Sequence, residues 1–428
     1  MKFITQACKI TLIVLFMLWP VTAVAEEVNK ISYSDTAWVL VSSALVMLML
    51  PGLALFYGGM VRRKNVLSTL MHSFVPLGVI TIQWVLFGYS LAFGNDIGHF
   101  VGDLSKVLYM GIDYKTLSGT IPEYLFSMFQ LMFAIVAVAL ISGGMAERVK
   151  FKSYIVFIFL WSTVVYDPLC HWVWGGGWLG DMGDLDFAGG TVVHISSGTA
   201  ALAAALILKP RRGFPGRLMI PHSLPLTLLG AGLLWFGWFG FNAGSSLAAD
   251  ELAVLAFTNT QIAAGAGLLG WLAIEFIKSG KASALGGASG IVAGLVAITP
   301  AAGFVEPLWA IVIGFLAGII CFYAVVMKMK VGYDDSLDVF GIHAIGGALG
   351  ALATGLFVTI GGTGFLAGNF KQVWVQLLGI GAAGAYSFIV TYFLIILIDK
   401  TIGFRVDDED EEMGLDTSQH GETGYNLV

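Results

Sequence analysis

Long apolar segments separated by short polar connections run along almost the whole chain. A membrane-spanning helix needs about 20 consecutive, mostly apolar residues, and eleven segments meet this requirement. The pattern therefore predicts an all-α polytopic membrane protein with eleven transmembrane helices. These predicted spans lie near residues 36–59, 70–93, 123–144, 151–170, 190–208, 222–243, 252–276, 283–300, 308–327, 339–359 and 373–398.

The N-terminus has the pattern of a secretory signal peptide. Lys2 and Lys9 form a basic region, an apolar stretch follows, and Ala23-Val-Ala25 fits a small-residue cleavage site. The alternative is a first transmembrane helix, although this stretch is slightly too short to span. Cleavage would place the mature N-terminus outside. We therefore divide the chain into a signal peptide, a transmembrane domain and a C-terminal tail, at 1–25, 26–400 and 401–428.

The basic residues between the spans fall on alternate sides of the membrane. One side has only Lys30, Lys106, Lys115 and Lys371. Lys and Arg are concentrated in cytoplasmic loops, so the richer side is cytoplasmic, and eleven spans from an external N-terminus place the C-terminus inside. The sixteen residues on this side are Arg62, Arg63, Lys64, Arg148, Lys150, Lys152, Lys209, Arg211, Arg212, Arg217, Lys278, Lys281, Lys328, Lys330, Lys400 and Arg405.

Composition narrows the class of protein further. Of the 428 residues, 57% are hydrophobic and 12% are charged, whereas soluble domains carry about 25% charged residues. This excludes a soluble enzyme and a disordered chain, and the net charge of −6 argues against nucleic acid as a partner. The 55 glycines suit close packing of membrane helices. Three cysteines are too few for a disulfide framework or a metal cluster.

Two histidines stand at matching places in the pattern. His194 lies in the fifth predicted span and His343 in the tenth, each in an apolar helix with small residues on the following turns. An odd spacing of five spans inverts the second set, which predicts an inverted 5+5 repeat plus one helix, with a site between the halves. Two facing imidazoles can line a narrow pore without fixed charge. The alternative is that each histidine only bridges helices.

Several residues near the outer ends of the spans could recognise a cation. Asp186 precedes the helix of His194, where it can cap the first turn or act electrostatically at the outer mouth. Aromatic faces attract cations, and Trp174, Phe129 and Phe241 lie in three different spans beside the hydroxyl of Ser245. On composition alone a structural role is favoured for each aromatic residue. We expect no metal, because a third ligand near the histidines is missing.

The motifs resemble the ammonium transporter family (Amt/Mep/Rh), and most closely its bacterial AmtB type, over essentially the whole mature chain. The run from Asp186 to His194 is close to the family signature. The other matching motifs are Pro51-Gly-Leu-Ala-Leu-Phe-Tyr-Gly-Gly59, Gly143-Gly-Met-Ala-Glu-Arg148, His171-Trp-Val-Trp-Gly-Gly-Gly177, Trp238-Phe-Gly-Phe-Asn-Ala-Gly-Ser245 and Asp338-Val-Phe-Gly-Ile-His343.

The resemblance implies a multi-pass homotrimer of the bacterial cytoplasmic membrane that transports ammonium and methylammonium without a cofactor. It implies an outer cation site of Trp174, Phe129, Phe241 and Ser245, in which Phe129 and Phe241 form a gate. It further implies twin pore histidines, His194 and His343, supported by Asp186. His72 and Asp167 depart from the AmtB pattern; His72 has no assigned role, and Asp167 could add negative potential at the vestibule.

The C-terminal tail contains six consecutive acids, 407–412. Such a charge run is typical of a solvated, disordered tail. The segments Gly414-Leu-Asp416 and His420-Gly-Glu422, however, resemble the tail of AmtB-type proteins, which implies docking of a cytoplasmic PII signalling protein of the GlnK type. The competing functions are an ammonium sensor, for which a tail of this length leaves no room for a fused signalling domain, and a Rh-like gas channel. A membrane enzyme is least favoured, because no nucleophile and base are paired.

Overall fold

The computed structural model describes residues 30–217 and 219–426, and the predicted signal peptide lies outside this part of the chain. Ten helices in these ranges are long and apolar enough to cross a membrane. An eleventh apolar helix, Ala284–Ile298, has 15 residues and falls where the eighth span is predicted. The helical membrane fold is thus confirmed, while the count of eleven spans, their inverted repeat and the orientation of the termini stay predictions.

Helices account for nearly all of the regular structure in the described residues. Two short antiparallel hairpins, Asp96–Ile97 with Val101–Gly102 and Leu117–Ser118 with Ile121–Pro122, lie in one loop. The α-helices are α1 (Tyr33–Met60), α2 (Val66–Gln83), α3 (Tyr89–Phe93), α4 (Glu123–Met145), α5 (Phe151–Trp161), α6 (Asp167–Trp174), α7 (Trp178–Met182), α8 (Ser196–Leu208), α9 (Leu224–Ala243), α10 (Glu251–Ser279), α11 (Ala284–Ile298), α12 (Pro307–Val331), α13 (Ile345–Phe357), α14 (Phe370–Ile402), α15 (Asp408–Met413) and α16 (Leu415–His420).

Four π-helical segments interrupt or precede these α-helices. In a π-helix one turn contains an extra residue, which changes the direction of the following side chains, and such turns are frequent at functional sites. The segments in the described residues are Trp84–Gly88, Ser162–Tyr166, Gly190–Ile195 and Phe340–Ala344.

Glycines allow the long helices α10, α11 and α12 to approach one another closely. A Cβ atom added to Gly294 would lie 2.2 Å from the carbonyl oxygen of Ala263, and one added to Gly318 would lie 2.3 Å from that of Gly267. In lipid there is no hydrophobic driving force between helices, so their association depends on the van der Waals packing that small residues permit. The close helix packing that the glycine content suggested is therefore present between these three helices.

The acidic tail is ordered, which corrects the expectation of a disordered segment. The run of acids forms most of α15, and Glu411 within it is only 1% exposed. Its carboxylate accepts hydrogen bonds from Arg405 Nη2 (2.7 Å) and from the backbone N–H of Arg212 (2.7 Å). In α16, Asp416 accepts from the backbone N–H of Ser68 at 2.9 Å. This charge run folds because arginines bind its acids and because acidic side chains in the first turn of a helix are stabilised by the helix dipole.

A buried ion network joins the loops at the same end of the helices. Arg211 makes a bidentate contact with Asp334, with N···O distances of 2.8 and 2.9 Å, and also reaches Glu147 at 3.2 Å. Arg62 pairs with Glu147 at 2.8 Å, and the fully buried Arg148 lies 3.5 Å from Asp334. We call these five residues the charged rim. Its bidentate, shared contacts compensate the burial of charge.

Candidate functional site

A cavity of about 340 Å³ opens between the helix ends, and we call it the vestibule. Trp174 is held in its wall because its indole N–H donates to the backbone oxygen of Asp186 at 2.9 Å. The Ser245 hydroxyl donates to the backbone oxygen of Phe241 at 2.8 Å, which leaves the serine oxygen free to accept. The vestibule is lined by Phe93, Phe126, Gln130, Phe133, Val173, Trp174, Phe187, Ser245 and Leu247.

The floor of the vestibule is formed by Phe133, which lines it, and by Phe241, whose ring contacts both Phe133 and His194. The ring centroids of Phe133 and Phe241 are 4.3 Å apart, and the rings of Phe133 and Trp174 form an edge-to-face pair at 5.9 Å. Phe129, which the sequence analysis placed in the outer site and the gate, lies behind Phe133 at 5.0 Å and packs towards Gly244. Phe133 therefore takes the position that we had expected for Phe129.

The lining residues of α4 share one face of the helix, because Phe126, Gln130 and Phe133 are separated by four and three residues. Phe129 is three residues from Phe126 and four from Phe133, so it lies at the edge of the same face. Helical phase alone therefore does not choose between the two phenylalanines. Tertiary packing does, since Phe129 lies behind Phe133 and only Phe133 lines the cavity.

His194 and His343 meet in a narrow apolar cavity. Their Nδ1 atoms are 3.3 Å apart, and the side chains are 0% and 3% exposed. A hydrogen bond between these two nitrogens needs one ring as donor and the other as acceptor, so at least one imidazole is neutral. The His194 ring stacks on Trp238 and Phe241. The cavity is lined by Met49, Leu53, Phe56, Val136, Leu140, His194, Leu234, Trp238, Val292 and His343.

Asp186 holds the start of the helix that carries His194. Its Oδ1 accepts the backbone N–H groups of Gly189 and Gly190 at 2.9 and 2.6 Å. Its Oδ2 accepts those of Thr191 and Val192 at 2.8 and 3.0 Å. Burial raises the pKa of Asp186, and these four donors oppose that shift. Both carboxylate oxygens thus already accept two backbone hydrogen bonds each, which favours a capping role for Asp186 over direct contact with a cation.

A second acid occupies the equivalent place before His343, which sequence reasoning missed. Asp335 Oδ2 accepts the backbone N–H of Phe340 at 2.7 Å, at the start of the second histidine-bearing π segment. Asp186 precedes His194 by eight residues, and Asp335 precedes His343 by eight residues. This equal spacing was the available signal. It supports the predicted internal repeat more strongly than the histidines alone.

His72 and Asp167 lie away from the vestibule and the histidine cavity. The Nδ1 atom of His72 contacts the backbone oxygen of Ser68 at 2.6 Å, and its ring packs on Phe151 and Tyr154. Asp167 is fully buried and contacts Gln83. Asp167 is therefore not among the residues that line the vestibule, where we had expected it to add negative potential.

Together these features define a class of protein: a multi-pass membrane transport protein with an aromatic outer cavity above a buried pair of histidines. Comparison with known proteins shows to which family of membrane transport proteins the chain belongs. The Ammonium Transporter Family model matches residues 37–425, so the chain belongs to the ammonium transporter family.

Individual relatives cover nearly the whole chain. The ammonium transporter of Bacillus subtilis (strain 168) is 50% identical over 401 residues, which cover 91% of this chain and 98% of that protein. The crystal structure of Saccharomyces cerevisiae Mep2 has a TM-score of 0.84 at 38% identity and covers 89% of this chain and 91% of its own. A structure described as a sensor Amt protein has a TM-score of 0.84 at 30% identity, covering 90% and 98%.

Proposed function

We propose that the protein recruits ammonium, and also methylammonium, at the vestibule and passes neutral ammonia between His194 and His343. The observation that carries this proposal is the contact of 3.3 Å between the two Nδ1 atoms in an otherwise apolar cavity, below a floor of aromatic rings. No fixed charge lines that cavity among the described residues. Such a passage suits a small neutral molecule that can donate and accept hydrogen bonds.

The vestibule offers the groups that attract a small cation. The faces of Trp174 and Phe133 supply cation–π attraction, which contributes about 0.5–2 kcal/mol and is strongest when the cation is desolvated. The free lone pairs of Ser245 and the unpartnered amide oxygen of Gln130 accept N–H groups. In this proposal Phe133 and Phe241 are the gate, and Phe129 supports Phe133 from behind.

Energetics favour passage of ammonia over passage of the intact ion. Removing one proton from an amine of pKa about 10.4 at pH 7 costs on the order of 5 kcal/mol. Moving an ion into a low-dielectric interior costs several kcal/mol even after relaxation, and the idealised cost is far larger. The aromatic floor and the apolar cavity therefore select for deprotonation near the vestibule.

The central test is methylammonium uptake in cells that lack their own ammonium transporters. We expect uptake with the wild type and its loss with His194→Ala and with His343→Ala, because either change removes one partner of the imidazole pair. Asp184→Asn is a control at a buried side chain outside both cavities, and it should retain uptake. Unchanged uptake in both histidine variants would disprove the proposed route.

The fate of the proton is a separate part of the proposal. Imidazoles relay protons at physiological pH, so we propose that the proton follows and that transport carries net charge. Currents from proteoliposomes after an ammonium pulse test this part. Intact ammonia flux without a transient current would show that only the neutral molecule crosses.

We further propose a homotrimer in the bacterial cytoplasmic membrane, with a cytoplasmic PII protein as a regulatory partner. The docked tail supports this proposal, because Glu411 and Asp416 fix it against the helix ends. Co-purification with a PII trimer under nitrogen-rich conditions tests the partner, and its absence under all nitrogen conditions would contradict it. A signalling role is the second candidate, since a sensor Amt protein shares the fold; transport is favoured because both pore histidines and the vestibule are in place.

A further inference from the structure

Asp167 carries a carboxyl group that the proposed transport route does not use. Its side chain is fully buried within the span Phe151–Met182. Oδ2 accepts a hydrogen bond from the side-chain amide of Gln83 at 2.7 Å, and Oδ1 has no partner within residues 30–217 and 219–426. None of the salt bridges found in those ranges involves Asp167. Among the residues that the structure describes, one neutral donor is therefore its only hydrogen-bond partner.

This environment favours a protonated carboxyl. An ionised carboxylate in a low-dielectric interior needs a cation or several donors to offset the loss of water, and Asp167 has one amide. A carboxylic acid can keep the bond from Gln83 and has no net charge. Ionisable residues inside membrane spans are costly and commonly belong to proton or ion pathways.

The polar cluster around Asp167 connects two spans. The Gln83 amide contacts Thr163 Oγ1 at 3.2 Å, and its oxygen accepts from Ser162 Oγ at 3.4 Å. The hydroxyl of the neighbouring Tyr166 is also buried without a partner among the described residues. Two adjacent residues thus present unsatisfied polar atoms, which in native structures call for a functional explanation.

The backbone at this cluster is irregular in the same way as at the histidines. The π segment Trp84–Gly88 follows directly after Gln83, and the π segment Ser162–Tyr166 ends directly before Asp167. The other two π segments in the described chain carry the pore histidines. Each pair of π segments therefore brings together two polar side chains from different spans.

The position of Asp167 links this cluster to the outer site. Helix α6 begins at Asp167 and ends at Trp174, in the vestibule wall. Seven residues of α-helix rise by about 10 Å. The carboxyl group thus lies roughly two helical turns below the place where ammonium is proposed to arrive.

We propose that Asp167 is a proton-binding residue of the transporter, which takes up, through water, the proton that ammonium releases at the vestibule. This inference rests on the proposed function. In the transfer, Asp167 first releases its proton to water and becomes a short-lived carboxylate. At the vestibule an N–H bond of ammonium breaks, the electron pair stays on nitrogen as the lone pair of ammonia, and water accepts the proton. Water then passes a proton on to Asp167, and a new O–H bond forms on Oδ1.

The first test is infrared spectroscopy of the full-length protein in lipid. The wild type should show the C=O stretch of a protonated carboxyl, which shifts on transfer to D₂O and is weakened in Asp167→Asn. Asp184 is the matched control, because it is also buried and neither of its carboxyl oxygens has a partner among the described residues. A spectrum in which Asp167→Asn removes no such band would overturn the proposal.

The second test measures ammonium-induced current and methylammonium uptake in the same proteoliposomes. In Asp167→Asn the ratio of current to uptake should fall about a hundredfold, the usual contribution of a positioned proton-transfer group. Asp167→Glu should restore the ratio and shift its pH profile, which a purely structural role would not do. Asp184→Asn should leave the ratio unchanged. Uptake with an unaltered ratio in Asp167→Asn would overturn this inference alone, whereas a wild type without uptake would overturn the proposed function as well.

Discussion

The charged rim and the histidine cavity use charge in opposite ways. In the rim, Glu147, Arg148, Arg211 and Asp334 are all at most 6% exposed, and each contacts a partner of opposite charge. In the cavity, the described lining is apolar except for two histidines. Buried charge is stable only with permanent partners. A passage cannot keep such partners, because the moving molecule would have to displace them.

The rim should show the largest effect when one partner is removed. Asp334→Ala leaves Arg211 and Arg148 without their carboxylate, and breaking a buried pair in this way costs about 3–5 kcal/mol. Thermal unfolding in detergent measures the loss. The control is Glu412→Ala, whose pair with Arg212 is exposed and should change stability by less than about 1 kcal/mol. Equal losses of stability in the two variants would contradict the conclusion that buried ion pairs contribute more to stability than exposed ones.

The cap before His194 should show a smaller effect on stability and a clear effect on transport. Asp186→Ala leaves four backbone N–H groups without their acceptor, and loss of such a cap costs about 2 kcal/mol. We expect lower thermal stability together with reduced methylammonium uptake, because the cap positions the helix of His194. Asp186→Asn keeps one oxygen acceptor and should lie between alanine and wild type. Wild-type uptake in the alanine variant would show that the cap of Asp186 is not needed to position His194 for transport.

Two neighbouring acids near the rim should respond to pH with opposite sign. The contacts with Arg211 lower the pKa of Asp334 to about 2 against the opposing effect of burial, so the stability it contributes is present above about pH 4 and is lost as the pH falls towards 2. Burial raises the pKa of Asp335 to about 6, so its contribution is present below about pH 4 and is lost as the pH rises through 6.

Unfolding temperatures measured across this pH range separate the two acids. Asp334→Asn should remove the loss of stability in acid, and Asp335→Asn should remove the decline between pH 4 and 6. Parallel curves for both variants would mean that the two carboxyl groups share one environment.

The smallest difference between a variant and its control should appear in the vestibule, where two phenylalanines form a matched pair. Phe133→Ala and Phe129→Ala remove the same buried volume, so their stability costs should be similar, about 3–5 kcal/mol each. Only Phe133 faces the cavity, and loss of a cation–π contact of about 0.5–2 kcal/mol corresponds to roughly a 2- to 30-fold rise in the KM for methylammonium. A larger rise in KM for Phe129→Ala than for Phe133→Ala would favour Phe129 as the gate residue, as the sequence analysis expected.

Hydrophobic length was sufficient to predict the helical membrane fold, while most of the candidate site residues came from the family motifs. The helical membrane fold was predicted because span length is set by the bilayer, a local property of the sequence. His194 and His343 line one cavity, and Trp174 and Ser245 line the other, whereas Phe241 lines neither. The outer set was expected from the family motifs and not from span length. Phe133 rather than Phe129 lines the vestibule, and this difference depends on how the helix packs against its neighbours, because the two residues are neighbours on one helix face.

The remaining features depend on contacts between distant parts of the chain. Glu411 meets Arg212 across 199 residues, and Arg211 meets Asp334 across 123 residues. A run of acids is the same sequence signal whether it is solvated or held by arginines, so the order of the tail could not be read from composition. Asp335 was within reach, because its spacing to His343 repeats that of Asp186.

The contact between the two Nδ1 atoms has a consequence for each turnover. Whichever ring donates, the heavy atoms can stay in place while donor and acceptor exchange roles, so the bond has two polarities. A proton that enters on one ring and leaves from the other reverses that polarity. A second proton cannot follow in the same direction until the rings have been reset. Any proton current through the pair is therefore paced by this reset, whereas the flow of neutral ammonia is not.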